Sequence, residues 1–135
     1  MVLQEGVYAC AERVNQVTTF LGGIAGSSGG VAMIRPDQPN SRLFPLSMEV
    51  QTETGSAFAS ASFAPNQANG CGAAYDAVVY WPQNCLTVAA LRFGAFKKSG
   101  LLGKNIVVLD GGNTTKVFLM PADTGCVSIK QEVIM

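Results

Sequence analysis

Cys10, Cys71, Cys85 and Cys126, in a chain of 135 residues without histidine, are the residues whose chemistry is easiest to bound. Thiols can cross-link, hold a metal or act as nucleophiles, and their spacing separates these uses. Structural zinc sites take cysteine pairs two to four residues apart, whereas the closest pair is Cys71 and Cys85. No Cys-x-x-Cys redox motif occurs. Without histidine, Ser-His-Asp and Cys-His arrangements are impossible, as are zincin and facial-triad iron sites. No metal and no cofactor are therefore expected. Cross-linking is favoured over four free buried thiols, and it implies an oxidising compartment, periplasmic or secreted. Four cysteines allow three pairings. The expected one is Cys71–Cys85 with Cys10–Cys126. The first closes a loop of about 15 residues, worth about 3 kcal/mol. The second ties the N-terminal element to the last strand.

Paired carboxylates remain open in principle, as in glycosidases. Most of the nine acidic residues fall in turns or on polar faces. Asp76 is the exception, within a strand rich in aromatics. Tyr75, Tyr80 and Trp81 flank it, and Asn66 and Asn69 lie in the polar loop just before. Tyrosine and tryptophan concentrate at binding hot spots, so these six residues form the candidate binding set. Core packing is the competing use of the aromatics. Tyr75 and Trp81 share one strand face and Tyr80 takes the other, so one face can be core and the other a binding surface. Asn113-Thr114-Thr115 matches a glycosylation acceptor and equally suits a polar turn. The Gly-rich stretch 22–30 lacks the lysine of a phosphate-cradling loop.

Composition narrows the partners. Charged residues make up 13% of the chain, apolar residues 48%, and the net charge is zero. That hydrophobicity excludes disorder. A nucleic-acid footprint needs clustered basic residues, and Lys97-Lys98 is the one adjacent cationic pair. No apolar run approaches the roughly 18 residues of a membrane span, so no membrane insertion of this segment is expected. The start, Met1-Val2-Leu3-Gln4-Glu5, carries no signal-peptide pattern. A mature exported form with an added Met accommodates both this start and the cysteines.

The elements that must position these residues follow from periodicity. Val7, Cys10, Val14, Val17 and Leu21 repeat at helical spacing, predicting an amphipathic helix over 5–21 closed by Gly22-Gly23. Residues 31–34 read as a strand and 35–45 as an irregular connection, with Leu43-Phe44 assigned to core. Leu46, Met48 and Val50 alternate with polar residues, and so do Ala57, Ala59, Ala61 and Phe63, predicting a hairpin. The small residues of its second strand ask for a closely packed layer, which the first helix could supply. Residues 65–70 read as a loop, and Cys71 opens a strand ending at Pro82. Asn84 is a good cap for a helix running to Phe96, with Lys97 and Lys98 in its last turn and Gly100 beyond it. Strands at 106–109, 116–120 and 127–133, joined by Asp110–Asn113 and Pro121–Gly125 turns, predict an antiparallel meander.

The sequence thus reads as one α+β domain over 1–135. An antiparallel sheet carries an N-terminal helix and a second helix after the central strand, braced by disulfides. The leading functional expectation is an exported, non-enzymatic binding protein, an inhibitor or immunity-type protein whose partner is another protein and not nucleic acid. The Gly-rich 22–30 or Asn-rich 65–70 loop would make the contact. A pilin-like surface subunit is the second reading, and a small hydrolase using Asp76 with another acid is the third.

Overall fold

The structure is a computed structural model that describes residues 10, 13–17, 27–33, 37, 43–52, 55–67 and 70–134. Its elements are α1 (13–17), β1 (Ser27–Ala32), β2 (Phe44–Thr52), β3 (Gly55–Gln67), β4 (Gly70–Trp81), α2 (Cys85–Arg92), β5 (Lys97–Leu101), β6 (Val107–Asp110), β7 (Thr115–Ala122) and β8 (Gly125–Ile134). The strand order is β1-β2-β3-β4-β8-β7-β6-β5. The pairings β1–β2, β2–β3, β5–β6, β6–β7 and β7–β8 are antiparallel. Contacts group Met1–Tyr75 with Val133–Met135 as one compact unit and Asp76–Glu132 as a second.

In the first unit the predicted hairpin forms. Phe44, Leu46, Met48 and Val50 of β2 are buried, as are Ala57, Ala59, Ala61 and Phe63 of β3. Directly opposed residues share a face. The register sets Leu46 against Ala61, Met48 against Ala59 and Val50 against Ala57. Large residues on one strand thus face small ones on the next. Phe44 opposes Phe63, and their rings stack with centroids 5.2 Å apart. Of the Leu43-Phe44 pair only Phe44 enters the core; Leu43 is exposed. Cys10, Val14 and Val17 are buried together, as their helical spacing requires. The rest of the helix predicted over 5–21 lies outside the described residues. β3 continues through Pro65-Asn66-Gln67, where a loop was predicted. Residues 27–30, predicted as Gly-rich loop, belong to β1.

In the second unit α2 begins where Asn84 predicts. Its side-chain oxygen accepts from the Thr87 N–H at 2.9 Å. The helix stops at Arg92 and not near Phe96, and Phe93 closes it. Lys97 and Lys98 are not in a last helical turn; they open β5. The register of β5 against β6 shifts between Lys98 and Gly100. Gly100 sits there at φ 148°, a backbone region that glycine alone occupies at no steric cost. Below α2 lies a core of Val88, Leu109, Val117, Leu119 and Cys126, joined by Trp81, Phe93 and Phe96. The meander β6–β7–β8 matches its prediction.

The disulfides are Cys10–Cys71 in the first unit and Cys85–Cys126 in the second. The expected Cys71–Cys85 and Cys10–Cys126 pairs do not form. The reason is strand length. Cys71 and Trp81 stand ten residues apart in one continuous strand, roughly 33 Å at the usual rise. Cys85 follows Trp81 by four positions, far outside the ~7 Å that a disulfide can bridge.

The β6–β7 turn is tied by charge. The Asp110 carboxylate accepts from the Gly112 N–H at 2.9 Å and from the Lys116 ammonium at 2.7 Å. Gly112 has φ 120°. The Lys116 hydrogen bond above all, then the Gly112 N–H, the Lys116 charge and Lys97, hold the Asp110 pKa below its ordinary 3.8. A lowered folded-state pKa contributes stability at pH above the ordinary value, and this is lost as pH falls through the folded pKa. Lys116→Met is expected to return the Asp110 pKa towards 3.8, read by NMR titration of the side-chain carboxyl. An unchanged titration would remove Lys116 as the main cause.

Candidate functional site

The structure disperses the six residues of the candidate set. Tyr75 is buried beside Cys71 and Ala73 on the core face of β4. Asp76 is half-buried, one residue on. Asn66 falls in the backbone of β3, and Asn69 lies outside the described residues. Tyr80 and Trp81 belong to the second unit, at the end of β4. Core packing has claimed Tyr75.

Trp81 is built in from three sides. Its indole N–H donates to the Ser128 hydroxyl at 2.8 Å. Ser128 is buried, and among the described residues no buried side-chain nitrogen or oxygen lacks a partner. The Arg92 guanidinium, from the last turn of α2, sits 4.8 Å from the indole centroid. Gly125 lies against the Trp81 carbonyl and the Tyr80 ring, so close that any Cβ would overlap them. The indole thus fastens α2 and β8 to β4. A tryptophan whose N–H and ring face are engaged inside the chain keeps little to offer a ligand.

A different group is prearranged on the outer face of β2 and β3. Register opposes Glu49 to Phe58 and Gln51 to Ser56. The Ser56 hydroxyl donates to the Glu49 carboxylate at 2.6 Å, and the Gln51 amide donates to the Ser56 oxygen at 3.2 Å. Phe58 stands beside this trio with half of its surface open, 51%. Val31 and Ser47 line the same shallow hollow. One exposed ring gives apolar area, and the trio gives fixed polar groups. Asp76 lines neither this hollow nor the one formed by Leu102, Ile106 and Met120. Among the described residues no three His, Cys, Asp or Glu side chains gather as metal ligands.

Sequence reasoning missed Phe58. The available signal was its parity. Strict alternation through Ala57–Phe63 sets Phe58, Ser60 and Ser62 on the polar side, and a phenyl ring there is out of place in a solvated face. Glu49 and Ser56 gave no such signal, because their meeting depends on the register of two strands.

Two intramolecular disulfides fit an oxidising compartment. No helix among the described residues is long and apolar enough to cross a membrane. Compared with protein-family models, with curated proteins and with solved structures, the chain matches none.

Proposed function

We propose that this chain is an exported, non-enzymatic binding protein that occupies a surface of another protein, as an inhibitor or an immunity-type protein does. The observation that carries this reading is the outer face of β2 and β3. An open phenyl ring there adjoins a polar trio already hydrogen-bonded in place. Aromatic residues, phenylalanine among them, are enriched in the buried cores of protein interfaces. Groups held in position before contact lose little freedom on binding. The two disulfides support a periplasmic or secreted setting.

The test is capture from the secreted or periplasmic fraction with the intact chain and with Phe58→Asp, after chemical cross-linking. One partner is expected to be recovered by the native chain and lost by the variant, with an unchanged unfolding midpoint. Equal recovery by both would take Phe58 out of the interface.

A surface structural subunit of the pilin-like kind is the second reading, and one observation favours it. Cys10 and α1 are pinned to β4, the first by the Cys10–Cys71 bond and the second by Arg13 Nε donating to the Cys71 carbonyl at 3.1 Å. A long apolar run preceding and continuous with this helix in the full gene would favour that subunit over the binding protein.

A further inference from the structure

One end of the second unit gathers exposed apolar side chains. Val107 pairs with Leu119, and Ala122 pairs with Gly125. The β5–β6 and β7–β8 turns therefore lie at the same end of the meander. Gly125 against Trp81 and the Cys85–Cys126 bond bring the end of β4 and the start of α2 there too. Leu86 is 83% exposed, Leu102 63%, Leu101 55% and Met120 37%. The Leu102 N–H donates to the Ile106 carbonyl at 2.7 Å, so the tip that presents the leucines is a closed turn. Tyr80, with its polar hydroxyl, is also half-exposed at this end.

Charge selects among occupants. The stretch 97–109, Lys-Lys-Ser-Gly-Leu-Leu-Gly-Lys-Asn-Ile-Val-Val-Leu, holds three lysines and no acid. All three lysines are exposed. The register sets Lys98 opposite Leu109, so this edge strand carries a lysine at a core-face position, a device that discourages pairing with another strand. The second unit as a whole has six cationic residues and four acidic ones, a formal charge of +2. Asp110 is already engaged by Lys116. Asp123, in the β7–β8 turn, is the acidic residue nearest the tip in this topology. A second copy would bring like charges together. A rigid partner would have to match the β5–β6 turn and the hollow beside it in shape, whereas a fluid bilayer closes around exposed side chains. Exposed leucines with lysines beside them are the composition that lies at an anionic lipid interface.

We infer that this end of the second unit docks peripherally on an anionic bilayer surface, with Leu101 and Leu102 entering the interface and Lys104 facing the headgroups. No segment crosses the membrane in this arrangement. The site is separate from the Phe58 face, and either can fail without the other.

The experiment is sedimentation of the disulfide-intact chain with vesicles of phosphatidylcholine alone and of phosphatidylcholine mixed with phosphatidylglycerol, at low and at physiological salt. Binding is expected to the anionic vesicles, weakening with salt. Lys104→Gln should reduce it about fivefold, since each lysine near an anionic surface contributes roughly that factor. Asp123→Asn should strengthen it. The double change Leu101→Ser with Leu102→Ser should abolish it while leaving the unfolding midpoint in place, because both side chains are exposed. Absence of anion-dependent binding by the native chain would overturn the inference and leave this end as a protein contact. Undiminished binding by the folded double variant would overturn it as well.

Discussion

Replacing Cys85 and Cys126 together by alanine is expected to lower the stability of the second unit by about 4 kcal/mol, from the 41-residue separation that the bond spans. Alanine is the proper substitute because Cys126 is fully buried, and a serine hydroxyl there would need a partner. Beyond that bond, α2 is held by Val88 and Ala89 packed on the core and by Arg92 over the Trp81 ring. Against typical total stabilities of 5–15 kcal/mol, the loss is large. Trp81 is the one tryptophan of the chain and packs on the same core. Its fluorescence in a urea series therefore reads this unit directly. An unmoved midpoint would show that the bond restrains little in the unfolded chain. Peptide mapping without reductant should recover Cys10–Cys71 and Cys85–Cys126, and any other pairing would overturn the arrangement.

Phe63→Ala should cost the first unit about 3–5 kcal/mol, the range for truncating a buried phenylalanine. Phe63 has no exposed surface and stacks on Phe44, itself buried. The neighbours across the hairpin are strands held in nine-residue register, which cannot collapse into the space. Far-ultraviolet circular dichroism through a urea series would measure the loss. A cost below about 1 kcal/mol would mean that the core relaxes around the cavity. Phe58→Ala, five residues earlier on the exposed face, provides the internal comparison, because surface truncations change stability little.

Local patterns carried much of this fold. The alternation in 46–51 and 57–63 produced β2 and β3 because period-two burial can be satisfied only by a strand. Asn84 marked the start of α2 because its side chain answers a backbone donor three residues away, a contact internal to one turn. β5 was illegible for an equally local reason. Phe93 and Phe96 stand three apart and imitate a helical stripe, yet they meet edge to face at 5.8 Å across a turn. The Lys97–Leu101 strand has no alternation to betray it, since nearly all of it is exposed at a sheet edge.

The candidate site was less legible than the fold. Trp81 and Tyr75 advertise binding by residue type, but only three-dimensional neighbours reveal that Ser128 and Arg92 engage the first and that the core absorbs the second. The Glu49–Ser56–Gln51 trio exists because the hairpin register sets those positions together.

By itself the sequence determined that histidine-dependent chemistry is closed to this protein, and it marked the cross-linking suited to an oxidising compartment and the elements whose burial repeats along the chain. Those follow from residue type and from periods of two and 3.6, which are properties of a line. Tertiary structure alone decided which cysteine meets which and which aromatic is open. Both depend on distances between residues far apart in the chain. An extended strand can hold near neighbours roughly 33 Å apart, as β4 does for Cys71 and Trp81. The fold meanwhile brings Cys10 to Cys71 and Cys85 to Cys126, across separations of 61 and 41 residues.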